Sequence, residues 1–192
     1  MNFVEPIRDK KDIIRIKANL RDKKNPRDFL LFIFGINTGL RISDLLKLKV
    51  RDVKDNRGEI RDYINIKEQK TKQSRKIHLN SGVKEALQYY FNKSGIYEFD
   101  RYLFTSEKKG NNKPLTKCGA WQLINIWCKD IGITDRVGTH SLRKTLGYHL
   151  RMKGSSISMI AERLGHKNIG TTKAYIGIND DEMKESANNL VL

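Results

Sequence analysis

Apolar residues recur at helical spacing through most of the first fifty positions. In "RDKKDIIRIKANLRDK" (8–23), Ile13, Ile16 and Leu20 fall on one helix face. "NPRDFLLFIFGINTG" follows with a helix grammar of its own: Asn25 as N-cap, Pro26 in the first turn, Gly39 past the end. "RISDLLKLKV" restarts a short helix, with Ser43 as its cap and Leu45, Leu46 and Leu48 turned to a core. From Asp52 the period shortens to two. "IRDYINIKE" and "SRKIHLN" read as short strands between the polar turns "DNRG" (55–58) and "QKTKQ" (69–73), and a three-stranded antiparallel sheet is the simplest arrangement.

Helical spacing then returns in "SGVKEALQYYFNK" and, after the basic loop "EKKGNNKP" (107–114), in "TKCGAWQLINIWCKDIG". There Trp121, Ile124 and Cys128 are expected on one buried face. Two more helices are predicted over His140–Lys153 and Ser156–Leu164, each stopped by a glycine, with a polar loop leading on to Tyr175. The last stretch, "NDDEMKESANNLVL", has acids in its first turn and an apolar end suited to docking. The pattern predicts one α+β domain, mainly helical with one small sheet.

Composition narrows what such a domain does. With 192 residues the chain can bury a real core. Mean hydropathy is −0.61, and the longest apolar run, "FLLFIFGI", is too short to span a bilayer. No secretory h-region opens the chain, so the cytoplasm is the expected compartment and a membrane is not an expected partner. Cys118 and Cys128 stand about 15 Å apart along one predicted helix, beyond disulfide reach, and are expected as reduced core thiols. The balance of 38 Lys and Arg against 22 acids, a net +16, points to a polyanion partner, nucleic acid first.

Three of the four histidines lie between 139 and 175, crowded with arginines ahead of one tyrosine. Taken singly, each residue has an ordinary explanation: Arg41 a loop cation, Lys70 a turn lysine, His140 and Arg143 a chance i, i+3 pair, His166 a helix-stop residue, Tyr175 a core aromatic. Taken in order, "TGLRIS", "EQKTK", "THSLR", "LGH" and "TTKAY" resemble the tyrosine recombinase (phage integrase) family along nearly the whole chain. The resemblance implies a tyrosine recombinase catalytic-domain fold and strand cleavage and rejoining on double-stranded DNA. It implies Arg41, Lys70, His140, Arg143 and His166 as catalytic residues and Tyr175 as nucleophile, with no cofactor and no metal ion.

That set suits the chemistry. A phenol can attack phosphorus and later leave, so the bond energy is kept in a phosphotyrosine. Arg41 and Arg143 would hold the non-bridging oxygens as permanently charged forks. His140 would take the phenolic proton, Lys70 would protonate the leaving 5′ oxygen, and His166 would donate to the phosphate. No Walker motif, HExxH or GxSxG competes. A type IB topoisomerase or a catalytically quiet DNA-binding regulator on the same scaffold would share much of this pattern. The first fits the "LGHKNIGTTKAY" box less well, and the second has no use for Tyr175. A basic RNA-associated protein is disfavoured by helices without surface-aromatic patterning.

Family members usually carry an N-terminal core-binding domain of about one hundred residues. "TGLRIS" begins within the first forty residues here, so residues 1–192 are expected to hold the catalytic domain alone. Residues 177–192 would be a tail that passes to a neighbouring protomer in a homo-oligomer on DNA.

Overall fold

A computed structural model describes residues 4–69, 73–106 and 112–176. Lys70 and the tail 177–192 lie outside them. Helix α1 (Lys10–Asp22) starts at Asp9, whose side chain accepts from the Lys11 N–H, and α2 (Pro26–Thr38) starts at Asn25, which accepts from the Asp28 N–H. Gly39 ends α2 in the left-handed region at φ 64°, as the sequence predicts. Helix α2 is buried on nearly every side, from Phe29 through Ile36, which is why it reads as an unbroken apolar run rather than a stripe. It packs against α1, α5 (Ser81–Ser94) and α7 (Thr139–Met152). Its crossing with α7 is close at Gly35, where a Cβ would stand 2.6 Å from Leu142 Cδ1.

After α2 the chain makes two single-turn helices, α3 (Ile42–Leu45) and α4 (Val50–Val53), then strands β1 (Tyr63–Lys67) and β2 (Ser74–His78). Leu45, Leu46 and Leu48 are buried as expected, but Arg41 and not Ser43 occupies the N-cap of α3. Among the described residues the sheet has two antiparallel strands rather than three, with Ile64 opposite Ile77 and Ile66 opposite Arg75. The expected third strand is reduced to one bridge, Lys54 with Ile60. Helix α4 uses up the residues that would extend it. The Asp55 carboxylate then closes a tight turn, accepting from the N–H groups of Arg57 and Glu59 at 2.9 Å each.

Helix α6 (Lys117–Asp130) corrects a face assignment. Ala120, Ile124, Trp127 and Cys128 are buried, while Trp121 is 49% exposed. The seam runs 120, 124, 127, 128, so Trp127, edge-on to Phe32 at 6.1 Å, is the core indole. Both cysteines are free, but only Cys128 is a core thiol; Cys118 is exposed. Helix α8 (Ile157–Leu164) is capped by Ser156. Tyr175 does not follow a loop but rides on a further helix, α9 (Ile169–Ile176). Among the described residues no helix is long and apolar enough to cross a membrane.

Candidate active site

The C-terminal end of α8 is the point on which the cations converge. A helix C-terminus offers carbonyls without intrahelical partners and a partial negative charge. Arg75 on β2 donates to the Glu162 and Arg163 carbonyls, both at 3.0 Å. Arg143 on α7 donates to the Leu164 carbonyl and also to the Gly39 carbonyl, so one guanidinium ties the ends of α8 and α2 together. Arg41 reaches the Gly165 carbonyl at 3.5 Å. Gly165 sits at φ 62°, and a Cβ there would stand 2.5 Å from Arg75 Nη1. Both the backbone angle and the packed guanidinium require glycine at this place.

Three arginines this close need a counter-charge, and Glu68 supplies it. Its carboxylate is 1% exposed, pairs with Arg41, and accepts from Arg75 Nη1 at 2.6 Å. Glu68 continues the buried face of β1 set by Ile64 and Ile66, and Arg75 stands across from Ile66 on the same side. An acid prolonging a buried period-two stripe, facing an arginine in the paired strand, is a signal the sequence carried and that reading by resemblance passed over.

His140 and Arg143 lie on the first turns of α7, and α9 brings Tyr175 against them. The Tyr175 hydroxyl is 3.4 Å from His140 Nδ1 and 3.4 Å from the His140 carbonyl oxygen. The Arg143 guanidinium carbon is 5.9 Å from the Tyr175 ring centre, and Lys144 Nζ, which the sequence reading did not single out, is 5.4 Å from it. His166, one residue past Gly165, stacks edge-on to the same ring at 5.0 Å, and its Nδ1 is 3.0 Å from Thr172 Oγ1. Five of the six expected residues thus gather in one cluster. The sixth, Lys70, lies outside the described residues, between Glu68 and Arg75 in the chain.

The electrostatics follow from burial beside fixed positive charge. Burial pushes the Tyr175 phenol up to about 12, against the opposing pull of Arg143 and Arg41. Burial, followed by Arg143, Arg41 and Arg75, drives His166 down to about 4, with Glu68 opposing. Arg143 falls to about 10 through burial and stays charged at neutral pH. Near neutrality the site therefore holds a protonated phenol, a neutral His166 and charged guanidinium groups. Among the described residues two of the five Arg143 donors serve backbone carbonyls, and the guanidinium also bears on the Tyr175 phenol. Among the described residues no group of three or more His, Cys, Asp or Glu converges as a metal site.

The helical domain thus sets Tyr175 among His140, Arg143 and His166. Residues 8–182 match the phage integrase family. The probable integrase/recombinase YoeC of Bacillus subtilis is 37% identical over 181 residues, covering 94% of this chain and 93% of that protein. A tyrosine recombinase of Pseudothermotoga lettingae is 32% identical over 168 residues, 88% of this chain but 55% of that one. The crystal structure of the XerH site-specific recombinase bound to palindromic difH substrate, a post-cleavage complex, superposes with a TM-score of 0.75 at 21% identity. It covers 98% of this chain and 54% of XerH, and shares the fold. The chain belongs to the phage integrase family and is an enzyme of the tyrosine recombinase class.

Proposed function

We propose that this protein cleaves and rejoins DNA strands at specific sites through a 3′-phosphotyrosine formed on Tyr175. The observation that carries the reading is the Tyr175 hydroxyl, 3.4 Å from His140 Nδ1 and flanked by Arg143 and His166. In the forward step the Tyr175 oxygen bonds to phosphorus as the bond to the 5′ oxygen breaks, and the phenolic proton passes to His140. Arg41 and Arg143 neutralise the charge gathering on the non-bridging oxygens, and the neutral His166 adds a hydrogen bond to them. Lys70 protonates the leaving oxygen. Religation runs the same step backwards, with no hydrolysis.

The partner is double-stranded DNA, supported by the net +16 charge and by the similarly folded Tn1549 transposon integrase in complex with transposon right end DNA. On DNA the protein assembles as a homo-oligomer through residues 177–192, and it acts in the cytoplasm on nucleoid DNA. The experiment is incubation with a nicked suicide duplex carrying a candidate site, followed by a denaturing gel. A protein–DNA adduct is expected, and its absence on every site-bearing duplex would overturn the reading. Deleting residues 180–192 should leave binding by the monomer intact and reduce cooperative assembly, read from binding curves.

A further inference from the structure

Threonine hydroxyls buried in helices usually donate back to the carbonyl four residues earlier. Thr38 does so to Phe34 and Thr145 does so to Ser141, each at 2.7 Å. Thr172 behaves differently. It is 0% exposed, and among the described residues its hydroxyl has one hydrogen-bond partner, His166 Nδ1 at 3.0 Å. Among the described residues it makes no bond to the carbonyl four residues back, that of Asn168, which accepts from the Thr171 N–H.

This arrangement can be satisfied in one way. If Nδ1 carried the imidazole proton it would donate to Thr172 Oγ1, and the hydroxyl hydrogen would be left in a fully buried place with no acceptor among the described residues. If Nδ1 is bare, the hydroxyl donates to it and both groups are satisfied. The proton then sits on Nε2, which carries no hydrogen bond among the described residues. A doubly protonated ring is disfavoured by burial and by Arg143, Arg41 and Arg75.

We propose that Thr172 is a positioning residue that fixes His166 as the Nε2–H tautomer and so presents that N–H as a donor to the DNA phosphate. The phosphate part rests on the recombinase reading above; the tautomer part does not.

The test uses the full chain with ¹⁵N-labelled histidine. In long-range ¹H–¹⁵N spectra of the free protein, His166 should show a bare Nδ1 and a protonated Nε2. Thr172→Val, which keeps the shape and removes the donor, should give a mixed tautomer pattern, and Thr172→Ser should restore the single one. Cleavage of the suicide duplex should fall up to about tenfold in the Val variant, the loss of one oriented hydrogen bond, and recover with Ser, at unchanged DNA affinity. A wild-type spectrum with Nδ1 protonated would overturn the proposal even if the Val variant fails to fold. So would an unchanged tautomer in Thr172→Val. A protein with the expected tautomer but no adduct would sink the recombinase reading and leave the Thr172 lock standing.

Discussion

Arg41 and Glu68 form an ion pair whose carboxylate is all but sealed from solvent, while the guanidinium side chain stays partly open. The same carboxylate holds Arg75, which grips the end of α8. Glu68 therefore joins three parts of the fold: the N-cap of α3, the hairpin and the α8 terminus that leads to His166.

Glu68→Gln keeps the shape but leaves two arginines facing each other around a neutral amide. Removing one partner of a buried pair strands the remaining charge. Stability should fall by about 2 to 3 kcal/mol, below the fully buried range because both arginines reach solvent. Urea denaturation reads this, and adduct formation should fall with it as Arg41 loses its anchor. An unchanged denaturation midpoint would mean the carboxylate is not the organiser.

Tyr175→Phe removes a hydroxyl whose contacts with His140 are long, 3.4 Å each. Its stability should stay within about 1 kcal/mol of wild type, and DNA binding should persist because the arginines are untouched. The covalent adduct should vanish. A denaturant-stable complex from the Phe variant would transfer the nucleophile's role elsewhere.

The elements legible in the sequence were those with strong local grammar. Asn25, Pro26 and Gly39 mark α2 to the residue, and Ser156 and Gly165 mark α8. Where tertiary packing decides, the pattern was less informative. Trp121 and Trp127 both fit an amphipathic helix, and the contact with Phe32 selects Trp127. The third strand was lost because four residues before "DNRG" form a helical turn instead. At the site, the six residues expected from resemblance include five that the fold brings together. Glu68 prolongs the buried stripe of β1, but its pairing with Arg41, 27 residues away, shows only in the fold, and Thr172 gains its role from His166 in the loop ahead of α9, six residues before it.

Arg143→Lys tests whether charge alone is enough. The guanidinium serves two carbonyls from two helix ends with separate nitrogens, Nη1 and Nη2. One ammonium on a flexible stem cannot reproduce that planar fork. At least one carbonyl should lose its partner, costing about 1 to 3 kcal/mol in thermal or urea unfolding. Cleavage should drop by about a hundredfold or more, since the donors aimed at the phosphate are displaced as well. Lysine supporting wild-type cleavage would reduce Arg143 to a point charge.

The depressed His166 predicts a pH signature in stability. An exposed histidine in the unfolded chain titrates near 6.5, whereas burial and the arginines hold the folded group at about 4. Above pH 6.5 the group is neutral in both states, and its contribution to stability is fully present. As pH falls through 6.5 toward 4 the unfolded chain binds a proton that the folded site refuses, so stability is lost across that window. Between pH 7 and 4.5 the loss from this one residue should be about 2 kcal/mol. Carboxylates also begin to titrate there, so the reading is a difference. Urea unfolding of wild type and His166→Gln is compared at both pH values, because glutamine cannot take up the proton and the other groups cancel. Whatever constant offset the substitution brings, the variant should gain about 2 kcal/mol on wild type as the pH drops. Parallel losses in the two proteins would mean that His166 titrates normally, and the neutral donor assigned to it in the phosphate pocket would have to be given up.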